Sequence, residues 1–184
     1  MKGIVFTEFL ELVEDKFGLE ICDRMLTDVS PQSGGSYTSV GSYDHKELVS
    51  LVARLSTLSN VPVPDLIRTF GEHLFGSFVK LYPAFFEGVT DGITFLCQVE
   101  DHIHVEVRKL YPDAELPRFD YEKRGDTTRI TYRSSRHLGD LAEGLILACL
   151  DHFGTECEIE RRDGEGEGEE ARIHFDLTPV LNRT

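Results

Sequence analysis

Two histidines lie two residues apart in the stretch 92–111, GITFLCQVEDHIHVEVRKLY, and an imidazole can bind a metal or transfer a proton. Apolar residues in this stretch recur every three or four positions, as along one face of a helix: Leu96, Val99, Ile103, Val107 and Leu110. The pattern predicts one long buried helix. Residues two apart on a helix point roughly 200° away from each other, so His102 and His104 cannot chelate one metal ion.

The two histidines differ in their predicted neighbours. On the helix, His104 shares its side with mostly apolar residues: Ile93, Cys97, Val107 and Tyr111. His102 lies nearer to Gln98, Val105 and Glu106. This difference favours His104 as the residue that faces a site. From the helix alone, a core or surface histidine with no ligand remains the simpler interpretation.

A second group of polar residues follows in the segment 132–136, YRSSR. In an extended strand Tyr132, Ser134 and Arg136 project to the same side, which aligns a phenol, a hydroxyl and a guanidinium. Such a row of donors suits carboxylates, and arginine can bind one with two hydrogen bonds. Alternatively, Ser134 or Ser135 caps a following helix and Arg136 is exposed. The residues themselves leave both interpretations open.

Composition restricts the possible partners of these groups. The chain has 184 residues and a formal net charge of −14, so nucleic acids and anionic membranes would repel it. A basic protein or a neutral small ligand fits this charge better. We find no segment typical of a transmembrane helix or a signal peptide. Four scattered cysteines without metal-binding spacing indicate reduced thiols, and we expect a cytoplasmic protein.

The order of the predicted elements indicates an α+β fold in one domain. Periodicity and capping residues predict helices over 1–18, 19–29, 44–58, 66–81 and 138–153, with a Ser/Gly/Pro loop at 30–42. Alternating patterns predict strands over 118–122, 127–132, 155–160 and 171–177. The acidic, glycine-rich segment 161–170 is expected to connect the last two strands. Helices that precede antiparallel strands are typical of α+β proteins.

The sequence resembles the heme-nitric oxide/oxygen binding (H-NOX) family, which is related to the heme domain of soluble guanylate cyclase. The resemblance rests on the opening MKGIV, the Phe70-Gly71 segment that leads to Phe78, Tyr82-Pro83, the segment 103–106 that leads to Pro117, and the Y-x-S-x-R motif. It covers essentially the whole chain. It implies that His104, and not His102, is the proximal ligand of the iron of heme b.

The resemblance also implies the fold and the lining of the pocket. A helical N-terminal lobe, 1–60, would pack on a heme-binding lobe, 61–184, that contains a four-stranded antiparallel sheet, with the heme between the lobes. Tyr132, Ser134 and Arg136 match the clamp for the heme propionates, and Pro117 matches a proline that bends the porphyrin. By position, the remaining pocket would be lined by Val5, Phe9, Leu74, Phe78, Leu141 and Leu145.

Leu141 stands where oxygen-binding members of the family carry a tyrosine that donates a hydrogen bond to the gas. We therefore expect a nitric oxide sensor that also binds carbon monoxide, excludes oxygen and has no enzymatic activity of its own. Nitric oxide would weaken the iron–His104 bond, and a separate histidine kinase or cyclic-di-GMP enzyme would sense the resulting shift of the lobes. The alternatives are a metal-dependent enzyme that uses His102 or His104 with carboxylates such as Glu100, Asp101 and Glu106, and a cofactor-free interaction module.

Overall fold

The computed structural model describes residues 1–164 and 170–180. Within these residues the chain forms seven α-helices and four strands: α1 Gly3–Phe17, α2 Leu19–Val29, α3 His45–Ser59, α4 Val63–Leu81, α5 Gly92–Cys97, α6 His104–Leu110, β1 Arg118–Arg124, β2 Thr127–Ser134, α7 Gly139–His152, β3 Cys157–Gly164 and β4 Ala171–Pro179. No helix in these two ranges is both long and apolar enough to cross a lipid bilayer.

The first four helices share one hydrophobic core. Local signals determine where these helices begin and end: Gly18, at φ +86°, ends α1, and the Asp44 carboxylate accepts a hydrogen bond of 3.0 Å from the backbone of Lys46 at the start of α3. The largest fully buried side chains of this core are Phe6, Phe9, Phe70, Met25, Leu51 and Leu55. The helices predicted over 1–59 are therefore close to those observed.

Helices α4 and α7 cross in direct backbone contact. A Cβ atom at Gly144 would overlap the carbonyl oxygen of Arg68, and one at Gly71 would overlap the carbonyl oxygen of Leu141. Glycine is required at both positions because any side chain would force the two helices apart. This crossing joins the N-terminal helices to the part of the chain that contains the sheet.

The four strands form one antiparallel sheet in the order β1-β2-β4-β3. Its inner face packs against α7 through Ile130, Tyr132, Ile173, Phe175, Ala142 and Ile146. The predicted α+β fold with a four-stranded antiparallel sheet is confirmed. The strands are longer than predicted, and β3 takes in residues 161–164 of the expected glycine-rich connection. Residues 165–169 of that connection lie outside the described part of the chain.

The prediction of one long buried helix over 92–111 was wrong. Helices α5 and α6 are separated by a π-helical turn, Val99–Ile103, in which the backbone N–H of Ile103 donates to the carbonyl of Gln98, five residues back. Most of the segment is also only partly buried, and Leu110 is 58% exposed. Apolar spacing continues through the π-helical turn, so the sequence pattern does not reveal it.

Candidate functional site

A cavity of about 440 Å³ lies between the helices and the inner face of the sheet. Most of its lining is apolar and comes from α4, the α5–α6 segment, α7 and the first two strands. Six of the predicted pocket residues line it: Val5, Leu74, Phe78, Pro117, Leu141 and Leu145. This volume lies within the range of cofactor and ligand pockets, which are mostly apolar with a few well-placed polar groups.

One of those polar groups is His104, the first residue of α6, which lines the cavity and is 8% exposed. Its Nδ1 lies 3.0 Å from Oε2 of Glu100. Burial lowers the pKa of His104, and the contact with Glu100 offsets only part of this effect. The imidazole is therefore neutral at pH 7. With Nδ1 occupied by Glu100, Nε2 is the nitrogen left to bind a ligand or metal.

A second polar group consists of Tyr132, Ser134 and Arg136, all of which line the same cavity. Strand β2 extends two residues beyond its predicted end, to Ser134, and Arg136 lies in the turn that follows. Burial raises the pKa of Tyr132, which is 3% exposed, against the opposing effect of hydrogen bonds with Ser134 and the backbone of Leu138. The phenol therefore remains protonated and can donate.

Arg136 is largely buried, with a side chain that is 13% exposed. Its guanidinium donates to the backbone carbonyl of Glu115 at 2.9 Å and to the Glu115 carboxylate at 2.7 Å. The alternative in which a serine caps the following helix is not observed. Leu138 occupies the position before α7, and Ser134 Oγ instead accepts from the backbone N–H of Arg136 at 3.1 Å.

Phe9 was predicted to line the pocket and does not. It is 1% exposed and packs edge-on against Phe70, with 5.3 Å between the ring centroids, in the core of the N-terminal helices. Val5 and Phe9 lie one helical turn apart on the same side of α1, but the cavity reaches only the first turn of that helix. The family resemblance therefore gave the correct face of α1 and could not show where the cavity ends in this chain.

The structure separates the two histidines of the α5–α6 segment. His102 is exposed and does not line the cavity. Of the carboxylates in this alternative, Glu100 lies 3.0 Å from His104, whereas Asp101 is exposed and Glu106 pairs with Lys109 at 2.6 Å. In the described residues, these side chains therefore do not form a group that could hold a metal ion. The geometry does not favour the alternative of a metal-dependent enzyme.

Several contacts at the site were not predicted from the sequence. Glu100, which the sequence offered only as a carboxylate for a metal-dependent enzyme, contacts His104. Glu115 contacts Arg136, and Lys2 and Asp113 pair at the edge of the cavity with 2.8 Å between Nζ and Oδ1. Glu100 precedes His104 by four residues, which is the spacing of side chains that meet on a helix. That spacing was a usable signal, whereas the contacts of Glu115 and Lys2 join distant parts of the chain.

Comparison with known proteins identifies the family of this chain. The family model for haem-NO-binding proteins matches residues 2–161. The chain belongs to the H-NOX family. Members of this family are heme-binding, gas-sensing domains. The expected resemblance is therefore confirmed. A comparison with curated protein sequences gave no match.

Solved H-NOX structures are similar along the whole chain. The Fe(II) unliganded H-NOX protein from K. algicida is 40% identical, with all of both chains covered and a TM-score of 0.89. The H-NOX from Shewanella woodyi in the Fe(II)CO state is 41% identical over 100% of this chain and 97% of that chain, with a TM-score of 0.83. The S. oneidensis H-NOX in the Fe(II)NO state is 26% identical over 97% and 99% of the chains, with a TM-score of 0.85.

The side chains around the cavity fit a heme. A largely apolar cavity suits a porphyrin, and a neutral imidazole is a common axial ligand of heme iron. The buried guanidinium of Arg136 and the hydroxyls of Tyr132 and Ser134 are donors suited to carboxylates such as the propionates.

Proposed function

We propose that this H-NOX domain is a nitric oxide sensor in which His104 is the proximal ligand of heme b. The observation that carries the proposal is the neutral, buried imidazole of His104 in a cavity that also contains Tyr132, Ser134 and Arg136. Bound heme would supply a ferrous iron that binds a diatomic gas, and Nε2 of His104 would hold that iron. The three donors would hold the propionates, with Arg136 exchanging part of its contact with Glu115 for a propionate.

The apolar lining supports selectivity for nitric oxide over oxygen. Val5, Leu74 and Leu141 present only hydrocarbon to the cavity, whereas bound oxygen gains stability from a hydrogen-bond donor. Of the tyrosines that line the cavity, Tyr132 is assigned to the propionates, and Tyr82 and Tyr111 interact with each other. We therefore propose that nitric oxide and carbon monoxide bind and that oxygen does not bind stably.

Contacts beyond α6 offer a route from the gas site to the rest of the molecule. Lys2 lies 5.1 Å from the ring centroid of Tyr111, and both Lys2 and Ser42 bond to the Asp113 carboxylate at 2.9 Å. Release of His104 would free α6 to move, and these contacts would carry the movement to the first residues of the chain. We propose that residues 1–60 act as one lobe and residues 61–184 as the other within a single domain.

A separate protein would sense this movement, and we propose a histidine kinase or a cyclic-di-GMP enzyme in the cytoplasm. The net charge of −14 favours a partner with a basic docking surface. The four free cysteines support a reducing compartment. Nothing in this role requires the domain itself to catalyse a reaction.

The visible absorption spectrum of the protein supplied with heme tests this function. We expect a Soret band that shifts on addition of nitric oxide or carbon monoxide to the reduced protein and does not shift in air before slow oxidation. In His104→Gly the signature of histidine ligation should be lost and should return with added imidazole, while His102→Ala, the matched control, keeps it. A colourless protein, or stable oxygen binding by the reduced form, would overturn the proposal.

A further inference from the structure

We propose that Glu100 is a positioning residue that sets how firmly His104 holds the heme iron. The inference rests on the proposed role of His104 as the proximal ligand. The Glu100 carboxylate would fix the ring in the tautomer with Nε2 free and would increase electron donation from the imidazole to the iron. A histidine that donates its other N–H to a carboxylate is a more basic metal ligand than one bonded to a neutral acceptor.

The position of Glu100 is determined from three directions. It lies in the π-helical turn Val99–Ile103, four residues before His104, and its Oε2 is 3.0 Å from His104 Nδ1. The same oxygen accepts the backbone N–H of Phe119 in β1 at 3.3 Å. The other oxygen, Oε1, accepts from the Arg108 guanidinium at 2.8 Å. Both carboxylate oxygens therefore have partners, and the side chain cannot rotate without breaking several of these contacts.

The contacts of Glu100 are those of an ionised carboxylate. The Arg108 guanidinium pairs with Oε1 at 2.8 Å and the backbone N–H of Phe119 donates to Oε2 at 3.3 Å, and both contacts favour the charged form. The contact with His104 is therefore a hydrogen bond to an ionised carboxylate, which is shorter and stronger than one to a neutral acceptor. Arg108 withdraws part of this negative charge through Oε1, so the two side chains have opposite effects on His104.

The sheet also takes part in this arrangement. The Phe119 ring lies 5.8 Å from the imidazole, measured between centroids, while the Phe119 backbone N–H holds Glu100. Rotation of the imidazole would therefore disturb its contact with Phe119 in β1 as well as its contact with Glu100 in the π-helical turn. A simple surface ion pair between Glu100 and Arg108 would stabilise the helix slightly and would have no effect on the iron.

Glu100→Gln tests the inference, because glutamine keeps the size and an acceptor oxygen but removes the charge. In the reduced, gas-free heme protein we expect a lower iron–histidine stretching frequency by resonance Raman spectroscopy and a more positive reduction potential. We also expect nitric oxide to abolish the iron–histidine band roughly tenfold faster than in the unchanged protein. Glu106→Gln is the matched control: it removes the same charge from α6, where Glu106 pairs with Lys109 and does not contact His104.

Arg108→Gln provides a second test with the opposite sign. Without Arg108, the Glu100 carboxylate would act on His104 with its full negative charge, so the stretching frequency should rise. The Arg108 side chain is 44% exposed and tolerates replacement. Frequencies that match the unchanged protein in Glu100→Gln or, if that variant does not fold, in Arg108→Gln would overturn the inference. A histidine band that survives in His104→Gly would instead overturn the proposed ligand, and the inference with it.

Discussion

The cavity lining differs between the surroundings of His104 and those of Leu141. His104 has charged partners outside the cavity lining: Glu100 bonds to the imidazole and Arg108 bonds to Glu100. Around Leu141 the lining is hydrocarbon, with Leu74 and Val5 contributing to the same cavity. The two regions therefore have separate tasks in the proposed sensor. In this proposal, polar contacts would adjust the strength of the bond to iron, and the hydrocarbon lining near Leu141 would decide which gas is retained.

A third region of the cavity is the proposed propionate clamp, which is polar. Arg136→Ala should accelerate heme loss roughly tenfold to hundredfold, because hydrogen bonds to charged groups contribute about 1.5–3 kcal/mol each. Transfer of heme to an excess of a colourless heme-binding acceptor protein measures this rate. Arg133→Ala is a suitable control, because Arg133 pairs with Asp120 and does not line the cavity. Equal rates in the two variants would contradict the role of Arg136.

A second test concerns α7, the helix that contains Leu141, at the point where it crosses α4. Gly144→Ala places a methyl group against the carbonyl of Arg68 where α4 and α7 cross, so the helices must separate. We expect a loss of about 1–3 kcal/mol in the free energy of unfolding, as is typical of overpacking, measured by urea denaturation. The matched control is Gly76→Ala in α4, where the added methyl meets nothing and should stabilise the helix by up to about 1 kcal/mol.

Elements defined by local sequence signals were predicted more accurately than features that depend on the rest of the structure. Helices α1 to α4 depend on local signals, such as the caps at Gly18 and Asp44, and their bounds were predicted closely. The π-helical turn Val99–Ile103 was missed because apolar spacing passes through it unchanged. The family resemblance assigned Phe9 to the pocket, but in this chain the cavity reaches only the first turn of α1.

The residues that surround His104 were harder to predict than those that surround Leu141. Hydrocarbon side chains need only face the cavity, and the resemblance to the family supplied those positions. The spacing of Glu100 and His104 indicated that their side chains meet, whereas the contact of Glu100 with β1 is not encoded in local spacing. Contacts between polar side chains of separate elements therefore cannot be predicted from the sequence alone, even where each residue lies close to a recognised motif.

The last test adds a polar group to the apolar region around Leu141. Leu141→Tyr places a hydroxyl donor in the apolar part of the cavity, and one hydrogen bond contributes about 0.5–1.5 kcal/mol, which raises the affinity for oxygen by up to about tenfold. The change in nitric oxide affinity should be smaller, because that gas does not need the donor. Leu141→Phe is the control, since it adds the same ring without the hydroxyl. Absorption spectra of the reduced variants in air measure oxygen binding. An equal gain in both variants would mean that the shape of the cavity, and not a missing donor, excludes oxygen from this protein.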